Sequence, residues 1–250
     1  MKCDSMFENN PSIFQREVKL SPSLFSSCGT LLPASVLSLF QEIAIAHAET
    51  HGFGYDALIQ KNLLWVVTQT RYELLRHPAA GESVLLQTWF LPPRHGIVQR
   101  EYLITDLQNA VYVKGSACWV LMDAGTRQIA PQLNEVLSGQ VSFDFSNFDK
   151  RARFIPKFES ASAPVSVTTS QTAIDKNGHV NNVRYAEYMM AAAEQPMEDI
   201  RSFQIDYHKE MLCGEVLQLS TKSFKGEALV QGTNQDGQLV FLSRYIRGEL

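Results

Sequence analysis

The stretch Asp175-Lys-Asn-Gly-His-Val-Asn-Asn-Val-Arg-Tyr185 decides how this chain is read. It sets a carboxylate, an amide and an imidazole at Asp175, Asn177 and His179. Alternate residues of an extended or gently turning backbone project to one side, so the three polar groups share a side. Gly178 permits a tight turn between Asn177 and His179. Beyond it Val183, Ala186, Met190 and Ala193 recur at near-helical spacing, and Tyr185 and Met189 widen the stripe. Asn181 and Asn182 are both good helix N-caps. The pattern predicts His179 just ahead of a helix N-terminus, where unpaired backbone N–H groups and the dipole favour negative charge. Such a place can hold a carbonyl oxygen as it becomes an oxyanion. On these residues alone, a capped turn with a surface histidine is the plain alternative.

Composition narrows the setting. Of 250 residues, 45% are apolar and 19% charged, which suits a globular chain with a sizeable core, either one large domain or two small ones. No run of about 18 apolar residues occurs, so no membrane span is expected. Residues Met1 to Pro11 are polar and mixed in charge, unlike a signal or transit peptide. A formal net charge of −4 argues against nucleic acid as the main partner. Cys3, Cys28, Cys118 and Cys213 are far apart and form no C-x-x-C pair, which reads as reduced thiols in a cytoplasmic protein.

From the N-terminus, Gln15 to Leu20 alternates as a short strand, and Ser21 to Thr30 reads as a turn. A helix is predicted from Pro33, with Leu37, Phe40, Ile43 or Ala44, and His47 on one stripe, ending at His51-Gly-Phe-Gly54. A short helix over Tyr55 to Gln60 follows. Strands are expected over 64–75, 84–91, 97–105 and 111–122, and their short connections predict an antiparallel meander. Residues 126–163 show no clean period and read as a connector. The order then recurs: a strand over 165–174, the Asp175 turn, a helix to about Glu194, and strands over 202–207, 215–224, 228–232 and 239–246.

The chain therefore reads as strand, helix, four strands, twice. Gly81-Glu-Ser-Val-Leu-Leu-Gln-Thr88 resembles Gly214-Glu-Val-Leu-Gln-Leu-Ser220, which supports duplication. The predicted class is α+β: two helix-on-antiparallel-sheet repeats packed as a pseudo-dimer. An N-terminal repeat spans 1–135, a connector 136–163 and a C-terminal repeat 164–250. The repeats differ in chemistry. Cys28-Gly-Thr-Leu-Leu32 stands where the second repeat has Asn177-Gly-His-Val-Asn181, and aligning Gly81 with Gly214 sets His77 opposite Glu210. Only the second repeat carries a full polar set, which leaves the first to shape a binding cavity.

With these residues in place, Asp-x-Asn-x-His-Val-Asn-Asn-x-x-Tyr at 175–185 resembles the acyl-acyl carrier protein thioesterases of plants and bacteria. Supporting matches are Asn62-Leu-Leu-Trp65, Arg71, Arg76, Gly81-Glu82, Thr88-Trp89, Trp119-Val-Leu-Met122 and Tyr207-His-Lys-Glu210, spread over residues 14–247 in the family's order. The resemblance implies a tandem (double) hot-dog fold. It also implies hydrolysis of the thioester between a fatty acyl chain and the carrier's phosphopantetheine arm. The family's catalytic residues fall on Asp175, Asn177, His179 and Glu210. The position after the glutamate, where a cysteine often stands, is Met211. Cys213, two residues on, would share a strand face with Met211.

The expected chemistry uses water as nucleophile. Either Glu210 or His179 is the base, Asp175 holds Asn177 or His179, and backbone N–H groups of Val180, Asn181 and Asn182 receive the oxyanion. Leu37, Phe40, Ile43, Phe53, Trp65 and Val67 are candidate linings for the acyl chain. No cofactor is expected beyond the substrate's own phosphopantetheine. His47 and His51 stand one helical turn apart without a third ligand, so no metal is expected. The partners expected are acyl carrier protein and a fatty acyl chain, with Arg94, Arg100, Lys150, Arg151, Arg153 and Lys176 as docking candidates. The assembly would be a monomer built as a pseudo-dimer, or a homodimer. A coenzyme A thioesterase and a non-catalytic acyl-binding hot-dog protein are the rival readings, with a hot-dog dehydratase a weaker one.

Overall fold

Gly115 and Phe40 show why a helix lies close on the first sheet. A Cβ at Gly115 would stand 2.2 Å from Phe40 Cε2, so the missing side chain is what admits the ring. Phe40 also stacks on Tyr102, with ring centroids 4.3 Å apart. The computed structural model describes residues 10–159, 163–192 and 200–248. The polar start at residues 1–9, with Cys3, and the expected helix end at Glu194 lie outside the described residues. The chain divides into two units, Met1–Ser23 with Ser38–Arg151, and Leu24–Leu37 with Ala152–Leu250.

The first unit contains β1 (Phe14–Lys19), α1 (Pro33–Thr50) from Ser38 onward, α2 (Tyr55–Ile59), β2 (Leu63–Leu74), β3 (Ser83–Phe90), β4 (Ile97–Thr105), β5 (Val111–Asp123) and α3 (Leu133–Val136). Its strand order is β1-β3-β4-β5-β2, with every pairing antiparallel. The expected meander holds for β3, β4 and β5 but fails at its first step. β2 pairs with β5, from Leu63↔Asp123 to Leu74↔Val113, and β3 turns its other edge to β1. The two longest strands thus lie side by side, which satisfies the most backbone in one ladder. On α1, Leu39, Phe40, Ile43, Ala44, His47 and Ala48 are all buried, a stripe wide enough for a helix covered by a sheet.

The described residues of the expected connector are irregular apart from α3, yet the stretch 143–147 is tied to the first sheet. Phe143 N–H donates to Phe90 O at 2.9 Å, Trp89 Nε1–H to Phe145 O at 2.8 Å, and Asn147 N–H to the buried Glu101 carboxylate at 2.7 Å.

The second unit contains β6 (Val165–Thr168), α4 (Asn182–Ala192), β7 (Ile200–Tyr207), β8 (Val216–Phe224), β9 (Glu227–Asn234) and β10 (Leu239–Arg247). Its order, β7-β10-β9-β8-β6, again all antiparallel, repeats that of the first unit strand for strand. Two expectations are corrected here. β6 stops at Thr168 and Gln171–Ala173 form a 3-10 turn, because Thr168↔Val216 is the last rung that β8 can offer. On α4 the buried centre is Tyr185, Ala186, Met189 and Ala192, whereas Val183 and Met190 are only half-buried at its flanks. Tyr185 packs on Phe241 and Tyr207, with ring centroids 5.5 and 6.0 Å away.

Candidate active site

The Asp175 stretch folds as a closed turn. Ile174 and Val180 form an antiparallel bridge. Asp175 N–H donates to His179 O at 2.8 Å and Gly178 N–H to Asp175 O at 3.1 Å. Gly178 sits at φ +81°, in the left-handed region that glycine enters without strain. Asp175 Oδ1 accepts the Asn177 N–H at 2.8 Å, so the aspartate orders the backbone that carries the amide. At the helix start, Asn181 Oδ1 accepts the Val183 N–H at 3.0 Å, which makes Asn181 the N-cap and Asn182 the first residue of α4.

A second segment closes on this turn. Val180 N–H donates to Met211 O at 2.8 Å, tying the residue after His179 to the residue after Glu210. The side chains of those neighbours then meet: His179 Nδ1 lies 3.3 Å from Glu210 Oε2. The imidazole is about three-quarters covered, at 24% exposed, and the carboxylate is more open at 43%. The contact is therefore reachable from solvent. The Glu210 loop is braced from behind by the buried Thr169, whose Oγ1 donates to Leu212 O at 2.6 Å, and by Glu215 Oε2, which accepts the Leu212 N–H at 2.9 Å. Neither brace was assigned a role from the sequence. The repeated Gly-Glu of Gly81-Glu82 and Gly214-Glu215 was the visible signal, since Glu82 Oε2 accepts the Ala79 N–H in the same way at 2.8 Å.

The first repeat builds the same turn without the chemistry. Ser26 N–H donates to Thr30 O and Gly29 N–H to Ser26 O, at 2.8 and 3.0 Å, and Phe25 bridges Leu31. Gly29 has φ +81°, like Gly178. Ser26 takes the place of Asp175 and accepts the Cys28 N–H at 3.2 Å, and Thr30 stands where the second repeat has His179. The turn is thus a property of the repeat, and the acid, amide and imidazole are additions to one copy.

Three expectations change. The amides of Val180 and Asn181 cannot receive an oxyanion, because both already donate to carbonyls, Met211 O and Ala173 O, each at 2.8 Å. Of the three amides proposed, this leaves Asn182; the Asn177 residue is exposed on the turn. Cys213 shares no strand face with Met211. Met211 is fully buried, and Cys213 is exposed in the turn that follows β7. Arg100 cannot meet a carrier protein, since it is 5% exposed, with its Nη1 donating to His47 Nδ1 and Thr88 Oγ1 at 2.9 and 3.2 Å.

Of the candidate acyl linings, Leu37, Phe40, Ile43, Phe53 and Val67 are buried. Trp65 is half-buried and donates its Nε1–H to Phe53 O at 3.1 Å. Phe40 is engaged in core packing over Gly115. Among the described residues no group of three His, Cys, Asp or Glu side chains is arranged to hold a metal ion.

Residues 27–139 match the family model of the acyl-ACP thioesterase N-terminal domain, and residues 159–243 match that of the C-terminal domain. The chain belongs to the acyl-ACP thioesterase family. It is 26% identical over 204 residues to the chloroplastic palmitoyl-acyl carrier protein thioesterase of Arabidopsis thaliana, covering 75% of this chain and 49% of that one. It is 24% identical over 220 residues to the chloroplastic oleoyl-acyl carrier protein thioesterase 1 of the same plant, covering 80% and 60%. The chain thus spans about half the length of the first of these relatives. Among solved structures, an acyl-ACP thioesterase from Bacteroides thetaiotaomicron superposes with a TM-score of 0.84 at 23% identity, covering 95% of this chain and 98% of that one. The 12:0-ACP thioesterase from Umbellularia californica gives 0.83 at 21% identity, covering 94% and 96%. The chain has the tandem hot-dog fold.

Proposed function

We propose that this chain hydrolyses the thioester joining a fatty acyl chain to the phosphopantetheine arm of acyl carrier protein, releasing the free fatty acid. The observation that carries the reading is the 3.3 Å contact between His179 Nδ1 and Glu210 Oε2, on a turn that also presents Asn177. A carboxylate that engages one imidazole nitrogen orients the ring and leaves the other nitrogen available for proton transfer. We therefore assign His179 Nε2 as the base that takes a proton from the attacking water, with Glu210 as its partner. Asp175 acts through the backbone, by fixing where Asn177 stands. The carbonyl oxygen is received by the Asn177 amide and the Asn182 N–H as charge builds on it. The proton held on His179 then passes to the departing thiolate, so the enzyme returns to its starting state.

The scheme needs no cofactor beyond the arm of the substrate. Among the described residues no helix is long and apolar enough to cross a membrane. A cytoplasmic setting is proposed on the scattered cysteines.

The test is product analysis after expression in a bacterium, with His179→Ala as the control. Free fatty acids of one length range, absent from the control, are the expected result. No release above the control would overturn the reading. Comparing one acyl chain on the carrier and on coenzyme A separates this activity from a coenzyme A thioesterase.

A further inference from the structure

The segment Arg153-Phe-Ile-Pro-Lys157 is laid alongside β7 by its backbone. Ile155 N–H donates to the fully buried Asp206 at Oδ2, 2.5 Å away, and Gln204 Nε2 donates to Arg153 O at 2.8 Å. Gln204 Nε2 also reaches Asp206 Oδ1 at 2.9 Å, so the carboxylate is matched on both oxygens. These bonds, with Ile155 buried, act as a hinge pin that turns the neighbours outward. Arg153 and Lys157 are exposed, and Phe154 is 65% exposed, a large ring left in water. The Phe154 ring lies 6.4 Å from that of His208. His208 is held below its ordinary pKa by burial first; Asp206 acts against the shift and Lys157 adds to it. Glu210 follows His208 by two residues, about 7 Å of extended chain.

Phe154 has the cations Arg153 and Lys157 beside it in the chain, which together offer an apolar anchor flanked by positive charge. Among the described residues neither Arg153 nor Lys157 takes part in an ion pair. The whole chain carries a net charge of −4, so attraction of an acidic partner requires a local surface of opposite sign such as this one. We propose that Arg153, Phe154 and Lys157 form the docking surface for the acyl carrier, an acidic protein partner, and that docking there sends its arm along the end of β7 to the His179–Glu210 pair. The proposal rests on the reading of the chain as a carrier thioesterase. Phe154 would be the anchor and the two cations would steer the encounter, so their loss should act on KM and on salt dependence.

The test measures hydrolysis of one acyl chain on the carrier and on free pantetheine. It uses the wild type, Phe154→Ala, the charge-reversed Arg153→Glu with Lys157→Glu, and the neutral Arg153→Gln with Lys157→Gln. The charge reversal should raise KM for the acyl-carrier by at least ~10-fold and flatten its salt dependence, with a smaller rise in the neutral pair, as expected for lost steering. Hydrolysis of acyl-pantetheine should be unchanged in all variants. Equal losses on both substrates would overturn the proposal, because the residues would then be acting through the fold. A wild type that prefers the carrier, with variants that keep the preference, overturns the docking surface and leaves the function standing. A wild type with no preference for the carrier overturns both.

Discussion

Lowering the pH from about 7 to about 5 should weaken this protein most through the side chain of His47, whose pKa is lowered to about 3. It lies on α1, buried, stacked between Phe14 and Phe90 with ring centroids 5.1 and 5.0 Å away. Its Nδ1 is 2.9 Å from Arg100 Nη1. A guanidinium can only donate, so Nδ1 must be the unprotonated acceptor. Burial first, then the charges of Arg100 and His51, lower the His47 pKa from 6.5 to about 3. Because the folded value is depressed, the stability is fully present above about pH 6.5, where both states are neutral. It is lost as pH falls towards about 3, because the unfolded chain binds a proton that the folded chain refuses. At about pH 5 the gap from the unfolded pKa is about 1.5 units, which at about 1.4 kcal/mol per unit amounts to ~2 kcal/mol. For a chain of this size that lowers the melting temperature by roughly 4–8 °C. The assay is thermal unfolding by circular dichroism at the two pH values, for the wild type and His47→Gln. The glutamine carbonyl can still accept from Arg100 and does not titrate. The variant should escape about 2 kcal/mol of the acid loss. Equal acid losses in the two proteins would refute the assignment of a neutral, buried His47.

Gly115→Ala should destabilise by about 1–3 kcal/mol in chemical denaturation, since the new methyl group must displace the buried Phe40 ring. Asn181→Ala removes the cap from Val183 N–H and should cost about 1 kcal/mol, while Asn181→Asp retains most of it, both read by denaturant midpoint.

The turn and its helix were legible because their signals are local. Gly178 needs only its own φ, and the Asn181 cap reaches only two residues ahead. The duplication was legible because Gly81-Glu82 and Gly214-Glu215 each make the same tight contact, with the glutamate accepting an N–H three residues back. What could not be read depends on partners distant in sequence. Nothing in β2 itself states that it pairs with β5 and not β3. The amides of Val180 and Asn181 looked available by analogy with any helix start, and only the fold reveals that Met211 and Ala173 already occupy them. Arg100 looked like a surface cation because arginine is mostly exposed, and its burial depends on His47 and Thr88 arriving from other elements. The contact of His179 with Glu210 lies between these cases. The family resemblance named both residues, and the Val180–Met211 bond is what brings their side chains together.

The central claim is that His179 and Glu210 act as one unit on a thioester, and a double-mutant cycle on acyl-carrier hydrolysis tests it most directly. His179→Ala and Glu210→Ala should each lower kcat by at least ~100-fold, as losing one acid–base group does. The double variant should be little worse than either, because residues that work together lose their effect together. Near-normal turnover in either single variant, or two losses that simply multiply, would contradict the account.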